Sequence, residues 1–181
     1  MAFQGTSKPP VTTNEATPFA AVVNEHWAGV YKLLYTLTGN MHDTEDLTQD
    51  TFLRALQRLD SFQPGTKMRN WLLRIASNAF FDVRRKNHRL KCSPLEREPM
   101  GRSRPPEYRL EVAEHCALQR AALQELSETA RAVFHLRAQE DLSFGEIASM
   151  IGITEQAARW HMHQARMKLL KRLDGDQGEK S

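Results

Sequence analysis

LSFGEIASMIGITEQAARWHMHQARMKLLKRL, residues 142–173, is the stretch whose punctuation decides the fold. Ser143-Phe144-Gly145-Glu146 has the spacing of a capping box, in which the hydroxyl accepts from the backbone three residues on and the carboxylate accepts from the backbone of the serine. The spacing predicts a short helix with Phe144, Ile147, Ala148 and Ile151 inside. Gly152 ends it, Ile153 fills the turn, and Thr154 caps a following helix with Ala158, Met162, Ala165, Leu169 and Leu173 as its buried stripe. Two helices joined by a tight turn containing Gly make a helix-turn-helix, whose second helix enters the DNA major groove with its first turns. Thr154, Glu155, Gln156, Arg159, Trp160 and His163 are therefore the candidate groove residues. Arg166, Lys168, Lys171 and Arg172 lie further along, where they suit phosphates. A helical hairpin with a solvated basic face is the competing reading, and it leaves the capping box and the placed Gly152 without a purpose.

Upstream of this unit, Ser127 can cap a helix with Ala130, Val133, Phe134 and Leu136 apolar. Before it, a helix from about Tyr108 to Leu126 carries Leu110, Val112, Ala117, Leu118, Ala121, Ala122 and Leu123. Residues 90–107, LKCSPLEREPMGRSRPPE, hold four prolines and no periodicity, so they read as a stiff, extended linker. Before the linker the pattern is helical again. Phe19, Val22, Val23, Trp27, Val30, Leu33, Leu34 and Leu37 form a first core helix that Gly39-Asn40 ends. Asp43 is the expected cap of the second helix, with Leu47, Ala55, Leu56 and Leu59 facing inward and Asp46, Asp50, Arg54 and Gln57 along an exposed stripe. Pro64-Gly65 marks a loop, and a third helix follows from about Lys67 to Asn87. Its buried face is Met68, Leu72, Ile75, Ala79 and Val83, which leaves Arg74, Asn78, Phe81 and Arg85 on the other. A positive, polar face carrying an aromatic ring suits single-stranded nucleic acid, because guanidinium groups neutralise phosphate while a ring stacks on an unpaired base. The competing reading places Trp71, Phe80 and Phe81 in the core and the arginines in solvent.

The 181 residues fit two small helical domains, and the net charge of +3 conceals a segregation. Basic residues gather in 84–104 and 159–172, acidic ones in 43–50 and 107–128, a pattern expected of a chain with one polyanionic and one protein partner. Cys92 and Cys116 have no C-x-x-C companion, so neither a disulfide framework nor a thiolate metal site is expected. His161, His163, His88, His115 and Cys116 do not form a ligand set either, since residues two apart on a helix point to different sides. No cofactor, metal or catalytic constellation is expected. No apolar run reaches the roughly 18 residues of a membrane span, and the first residues lack a signal-peptide pattern. A cytoplasmic protein without membrane insertion is the expectation.

Thr44-Glu45-Asp46-Leu47-Thr48-Gln49-Asp50-Thr51-Phe52 is similar to the D-A-E-D-L-x-Q-E-x-F of bacterial RNA polymerase sigma factors of the extracytoplasmic function group. Trp71-Leu72, Ile75-Ala76-Ser77-Asn78, Asp82 and Arg84-Arg85 resemble that family's W-L-x-x-I-A-x-N-x-x-x-D-x-x-R-R. The resemblance covers about Phe19 to Leu173. It implies an all-α chain of two small helical domains joined by an extended linker. A region 2 helical bundle would occupy 19–89, the linker 90–107 and a region 4 helix-turn-helix domain 108–173, between a disordered tail at 1–18 and a polar tail at 174–181. It implies that Asp46, Gln49, Asp50 and Arg54 dock on the clamp helices of the polymerase beta-prime subunit. Phe62, Lys67, Arg69, Asn70, Trp71, Arg74, Asn78, Phe81 and Arg85 fall to the opening of the minus-ten element. Thr154, Glu155, Gln156, Arg159, Trp160, His163 and Arg166 fall to duplex reading of the minus-thirty-five element, with region 4 on the beta flap. Core polymerase and promoter DNA are the implied partners, and an anti-sigma protein is a further one.

The chain departs from the family where many members carry a pattern like T-V-K-S-R-L-x-R-A-R, for here the residues are Ala157-Ala158-Arg159-Trp160-His161-Met162-His163-Gln164-Ala165-Arg166. Two basic positions are lost, a Trp appears, and Ala157, where Thr is usual, removes a phosphate-contacting hydroxyl. The indole of Trp160 has two readings, packing on a neighbouring helix, which is the one expected, or contact with a thymine methyl. An autonomous helix-turn-helix regulator explains 142–173 equally well but leaves the first domain's two stripes unexplained. A decoy that occupies polymerase without melting DNA has no use for Arg74, Asn78 or Phe81.

Overall fold

The computed structural model describes residues 16–63, 65–91 and 121–178. Among the described residues the helices are α1 (Ala16–Thr38), α2 (Met41–Gln57), α3 (Met68–Lys91), α4 (Glu128–Ala138), α5 (Phe144–Ile151) and α6 (Glu155–Gly178). A 3-10 turn at Leu59–Ser61 follows α2, and residues 121–124 are helical. No strand occurs among the described residues. Most of the tail expected at 1–18, most of the linker expected at 90–107, and the helix expected from Tyr108 as far as residue 120 lie outside the described residues. Elements overrun three expected ends: α1 begins at Ala16, α3 continues to Lys91 and α6 to Gly178. Pro18 is compatible with the early start because the first turn of a helix needs no backbone donor.

In the first module, α1, α2 and α3 pack pairwise around Val30, Leu33, Leu34, Leu37, Leu72, Leu73, Ala76 and Phe80. The cap of α2 is Asn40 rather than Asp43: the helix begins at Met41, and the Asn40 side chain accepts from the Asp43 backbone at 2.8 Å. Gly39, in the left-handed region at φ 77°, turns the chain from α1 into that cap.

The inward face of α2 also differs from expectation. Leu56 is 48% exposed and Leu59 37%, while Thr44, Thr48 and Thr51 are fully buried beside Leu47, Phe52 and Ala55. The threonines tolerate burial because their hydroxyls donate to backbone oxygens four residues back, Thr48 to Thr44 and Thr51 to Leu47, both at 2.7 Å. Trp27 stays partly in water and lays its ring on Phe52 at 5.5 Å, stacked. On α3, Val83 is 39% exposed and not part of the buried face, which is made instead by Leu72, Leu73, Ile75, Ala76, Ala79 and Phe80.

The second module follows its local signals. Ser127 caps α4, Ser143 and Glu146 form the capping box of α5, and Thr154 Oγ1 accepts from the Ala157 backbone at 3.1 Å at the start of α6. Gly152 has φ 74°, the left-handed conformation that closes the turn, and its backbone N–H donates to Ala148 at 3.0 Å. Ile147, Met150, Ala158 and Met162 join α5 to α6, and Ala132, Val133 and Leu136 bring in α4.

The two modules touch. α1 packs on α4 and α3 on α5, and one cluster of buried residues runs from Phe19 through Phe80 to Met162. Polar contacts line the seam: Lys32 Nζ donates to Gln139 Oε1 at 2.7 Å, Gln124 Nε2 to the Thr36 carbonyl at 3.2 Å, and Arg84 pairs with Glu128 at 2.5 Å.

Candidate polymerase and nucleic-acid interfaces

The exposed face of α2 is both acidic and apolar. Asp46 and Gln49 are exposed, Asp50 half-buried, and Leu53 (60% exposed) and Leu56 continue the surface towards the C-terminal end of the helix. Arg54 is not a lone cation here. It pairs with Asp50 at 2.8 Å and approaches Asp82 of α3 at 3.9 Å, so Asp82 ties α2 to α3 while also receiving Arg85 at 2.5 Å. The two leucines escaped the sequence reading, which counted Leu56 as core. Their signal was Gln49, four residues before Leu53 and so on the same face.

The loop between α2 and α3 and the first turns of α3 assemble the second surface. Phe62 is half-buried and meets the half-buried Trp71 edge-on at 5.4 Å, which fixes the loop against the helix. Lys67, Arg69, Arg74, Asn78 and Arg85 are exposed and Asn70 half-buried. Phe81 is half-buried rather than free. It packs against the core and meets Phe80 edge-on at 5.2 Å, because α3 is covered on a wider arc than a single stripe and residues 80 and 81 share that cover.

Part of this surface lies under the second module. Arg69 grips Glu140 with both Nε and Nη2, the latter at 2.8 Å, and Arg74 Nη2 reaches Ser149 Oγ at 3.4 Å. The Glu140 side chain is 3% exposed. Burial by itself pushes its carboxyl up, but the His135 ring and the Arg69 guanidinium outweigh that and hold it at about 2. His135 Nε2 stands 3.8 Å from Glu140, and its Nδ1 lies 3.1 Å from Thr36 Oγ1. The bond to Glu140 in turn raises Arg69 above the ordinary arginine value. Two backbone details shape this cradle. A Cβ on Gly29 would stand 2.9 Å from the Arg69 guanidinium, so any larger residue there would make that side chain shift, and Asp141 takes a left-handed φ of 51° just after Glu140.

The recognition helix α6 presents Glu155, Gln156, Arg159, Trp160, His163 and Arg166 outward, with Thr154 exposed at its cap. Trp160 is 57% exposed, against the expected packing on a neighbouring helix, and its one ring contact among the described residues is with the adjacent His161, at 4.9 Å. His161 is half-buried, and burial lowers it below the ordinary histidine value. Arg159, though exposed, pairs with Glu155 at 2.5 Å and lies over the Phe144 ring at 4.8 Å. Further along, Lys168 donates to the Glu125 carbonyl at 3.3 Å and Arg172 pairs with the Glu125 carboxylate, which ties the basic end of α6 to the chain before α4.

The chain has relatives among known proteins. Residues 22–90 match the model of sigma-70 region 2, and residues 119–169 that of sigma-70 region 4. The chain is 36% identical over 152 residues to the ECF RNA polymerase sigma factor SigE of Mycolicibacterium smegmatis, covering 82% of this chain and 58% of that longer relative. It is 30% identical over 175 residues to the ECF sigma factor SigW of Bacillus subtilis, covering 90% and 92% of the two. Among solved structures, the sigma factor RpoE in complex with the anti-sigma factor NepR from Bartonella quintana shares the fold, with a TM-score of 0.72 at 24% identity, over 87% of this chain and 98% of that one. CnrH in complex with the cytosolic domain of CnrY gives 0.64 at 26% identity, over 91% and 92%. With both sigma-70 regions present in order on one all-α chain, and a relative matched over nearly its whole length, the chain belongs to the ECF RNA polymerase sigma factors, the promoter-specificity subunits of bacterial RNA polymerase.

Proposed function

We propose that this sigma factor docks on core polymerase through Asp46, Gln49, Asp50 and Arg54 of α2, with Leu53 and Leu56 as the apolar centre of that face. It then opens the minus-ten element with the loop at 61–67 and α3, and reads the minus-thirty-five element as duplex with the first turns of α6. The observation that carries the reading is that one chain exposes an acidic and apolar helix, an arginine and asparagine helix, and an open recognition helix, each suited to a different partner.

The chemistry is binding without a catalytic residue. Unstacking and capturing a base costs a few kcal/mol, which contacts to an unpaired edge and to phosphates repay. Arg69 and Arg74 meet DNA only after Glu140 and Ser149 have let them go, so promoter binding requires the two modules to part. In this scheme the segments before α1, between α3 and about residue 108, and after α6 act as tail, linker and tail around the two modules. Region 4 would rest on the polymerase beta flap.

No helix among the described residues is long and apolar enough to cross a membrane. A cytoplasmic site of action follows from the polymerase it serves. Control by an anti-sigma protein is part of the proposal, since the sigma factor RpoE was solved in complex with the anti-sigma factor NepR. A native pull-down that recovers only polymerase under every growth condition refutes that control.

The test is transcription in vitro with bacterial core polymerase on a library of promoter-like fragments, with and without this chain. New start sites sharing two spaced upstream motifs are the expected result. Absence of stimulation, with tight duplex binding by the isolated chain, would make it an autonomous regulator. The docking face has its own test: Leu56→Ala should weaken association with core polymerase about fivefold, the loss of roughly 1 kcal/mol from one apolar contact. Unchanged affinity in a titration of labelled chain with core removes Leu56 from that face.

A further inference from the structure

The first two turns of α6 expose one large apolar group, the Trp160 indole, whose one ring contact among the described residues is the adjacent His161. Of the two residues one helical turn earlier on that side, Ala157 is too small to cover an indole and Gln156 is itself exposed. Arg159, the side chain of the right type for a guanine edge, is exposed but already pairs with Glu155 and lies over the Phe144 ring. An arginine with partners inside the motif, beside an exposed indole, points to the indole as a groove contact of its own.

We propose that Trp160 is a specificity-determining residue that selects thymine at one position of the upstream duplex element. Thymine alone among the bases shows the major groove a methyl group beside a carbonyl acceptor, O4. The indole matches both features with an apolar ring edge and a single donor, Nε1–H. Cytosine replaces the acceptor with an amino donor and lacks the methyl, so the indole N–H would face a second donor. The inference rests on the reading of α6 as the duplex-reading helix.

The experiment uses holoenzyme assembled from the full chain and core polymerase, and selects transcribed promoters from a library randomised across the upstream element. Wild type should enrich thymine at one position where Trp160→Ala shows no preference, with the other positions unchanged. Replacing that thymine by deoxyuridine, which removes only the methyl, should cost wild type about fourfold in promoter occupancy and Trp160→Ala less than twofold. Trp160→Phe should keep the preference for thymine over deoxyuridine, since the ring edge remains. Three results overturn the proposal. If wild type enriches no sequence, the reading of the whole chain falls and this inference with it. If Trp160→Ala enriches the same motif as wild type, the chain remains a sigma factor and Trp160 is not a reader. If Trp160→Ala loses transcription equally on every sequence, or loses core polymerase, the indole serves a protein contact.

Discussion

Replacing Arg74 and Asn78 together by alanine should abolish promoter opening while leaving association with core polymerase within about twofold. The two residues lie four apart on α3 and are both exposed, so they share one face. Leu72, Ile75, Ala76 and Ala79 fill the opposite arc, and truncation at 74 and 78 removes nothing from the core. A guanidinium bond to phosphate contributes about 1.5–3 kcal/mol, and an amide bonded to an exposed base edge about 1 kcal/mol or more. Their joint loss corresponds to a reduction of about a hundredfold or more in open complex. Reactivity of unpaired thymines in the minus-ten element reads this directly, and a labelled-chain titration reads core binding separately. Phe81 belongs outside the test, because its contact with Phe80 and the core means that Phe81→Ala would confuse folding with melting. Unchanged opening in the double variant would remove the melting role from this face of α3.

The helix-turn-helix was legible because every signal in it is local. A capping box, a left-handed glycine and a threonine cap act within four residues of themselves, and each is found where the sequence placed it. The second helix misled for a physical reason. Its inward stripe runs through Thr44, Thr48 and Thr51, polar by type but satisfied by their own helix, so an apolar count shifts the buried face towards Leu56 and Leu59. Leu56 stays in water instead, beside Leu53 on the face proposed for docking. Val83 and Phe81 misled in opposite directions, since how wide an arc of a helix is covered depends on neighbours that periodicity does not contain.

The seam between the modules was illegible altogether. Arg69 and Glu140 are 71 residues apart, and neither lies in a motif that calls for the other. Gly29 in the middle of α1 was the one local trace. A glycine within a helix costs about 1 kcal/mol relative to alanine, and here the missing Cβ makes room for the Arg69 guanidinium. Trp160 was legible as an oddity but not as an exposed one, because exposure of one side chain on a recognition helix is decided by what lies across from it.

Glu140→Gln should lower the thermal midpoint at pH 7 by roughly 4–10 °C, the equivalent of about 2–3 kcal/mol in a chain of this size. The native carboxyl titrates at about 2 against an ordinary value of 4.5, and the figure is discounted because the Arg69 side chain remains 45% exposed to screening water. The sign follows from the depressed value. Stability from the ionised carboxylate is fully present above about pH 4.5 and is lost as the pH falls from there towards 2, so the gap between wild type and Glu140→Gln should narrow over that window and not at neutral pH. The functional effect runs the other way from the stability effect. Glu140→Gln removes the anion that holds Arg69 and leaves Arg69 in place, so open-complex formation by the holoenzyme should be equal to wild type or greater. Arg69→Ala breaks the same pair but also removes the guanidinium from the DNA face, so it should share the loss of stability and open promoters less well. If both variants open promoters alike, Arg69 serves only the seam between the modules. If they diverge as expected, the side chain that closes the two modules on each other is the one released to meet DNA, and the energy of the closed pair sets a threshold that polymerase and promoter together must exceed.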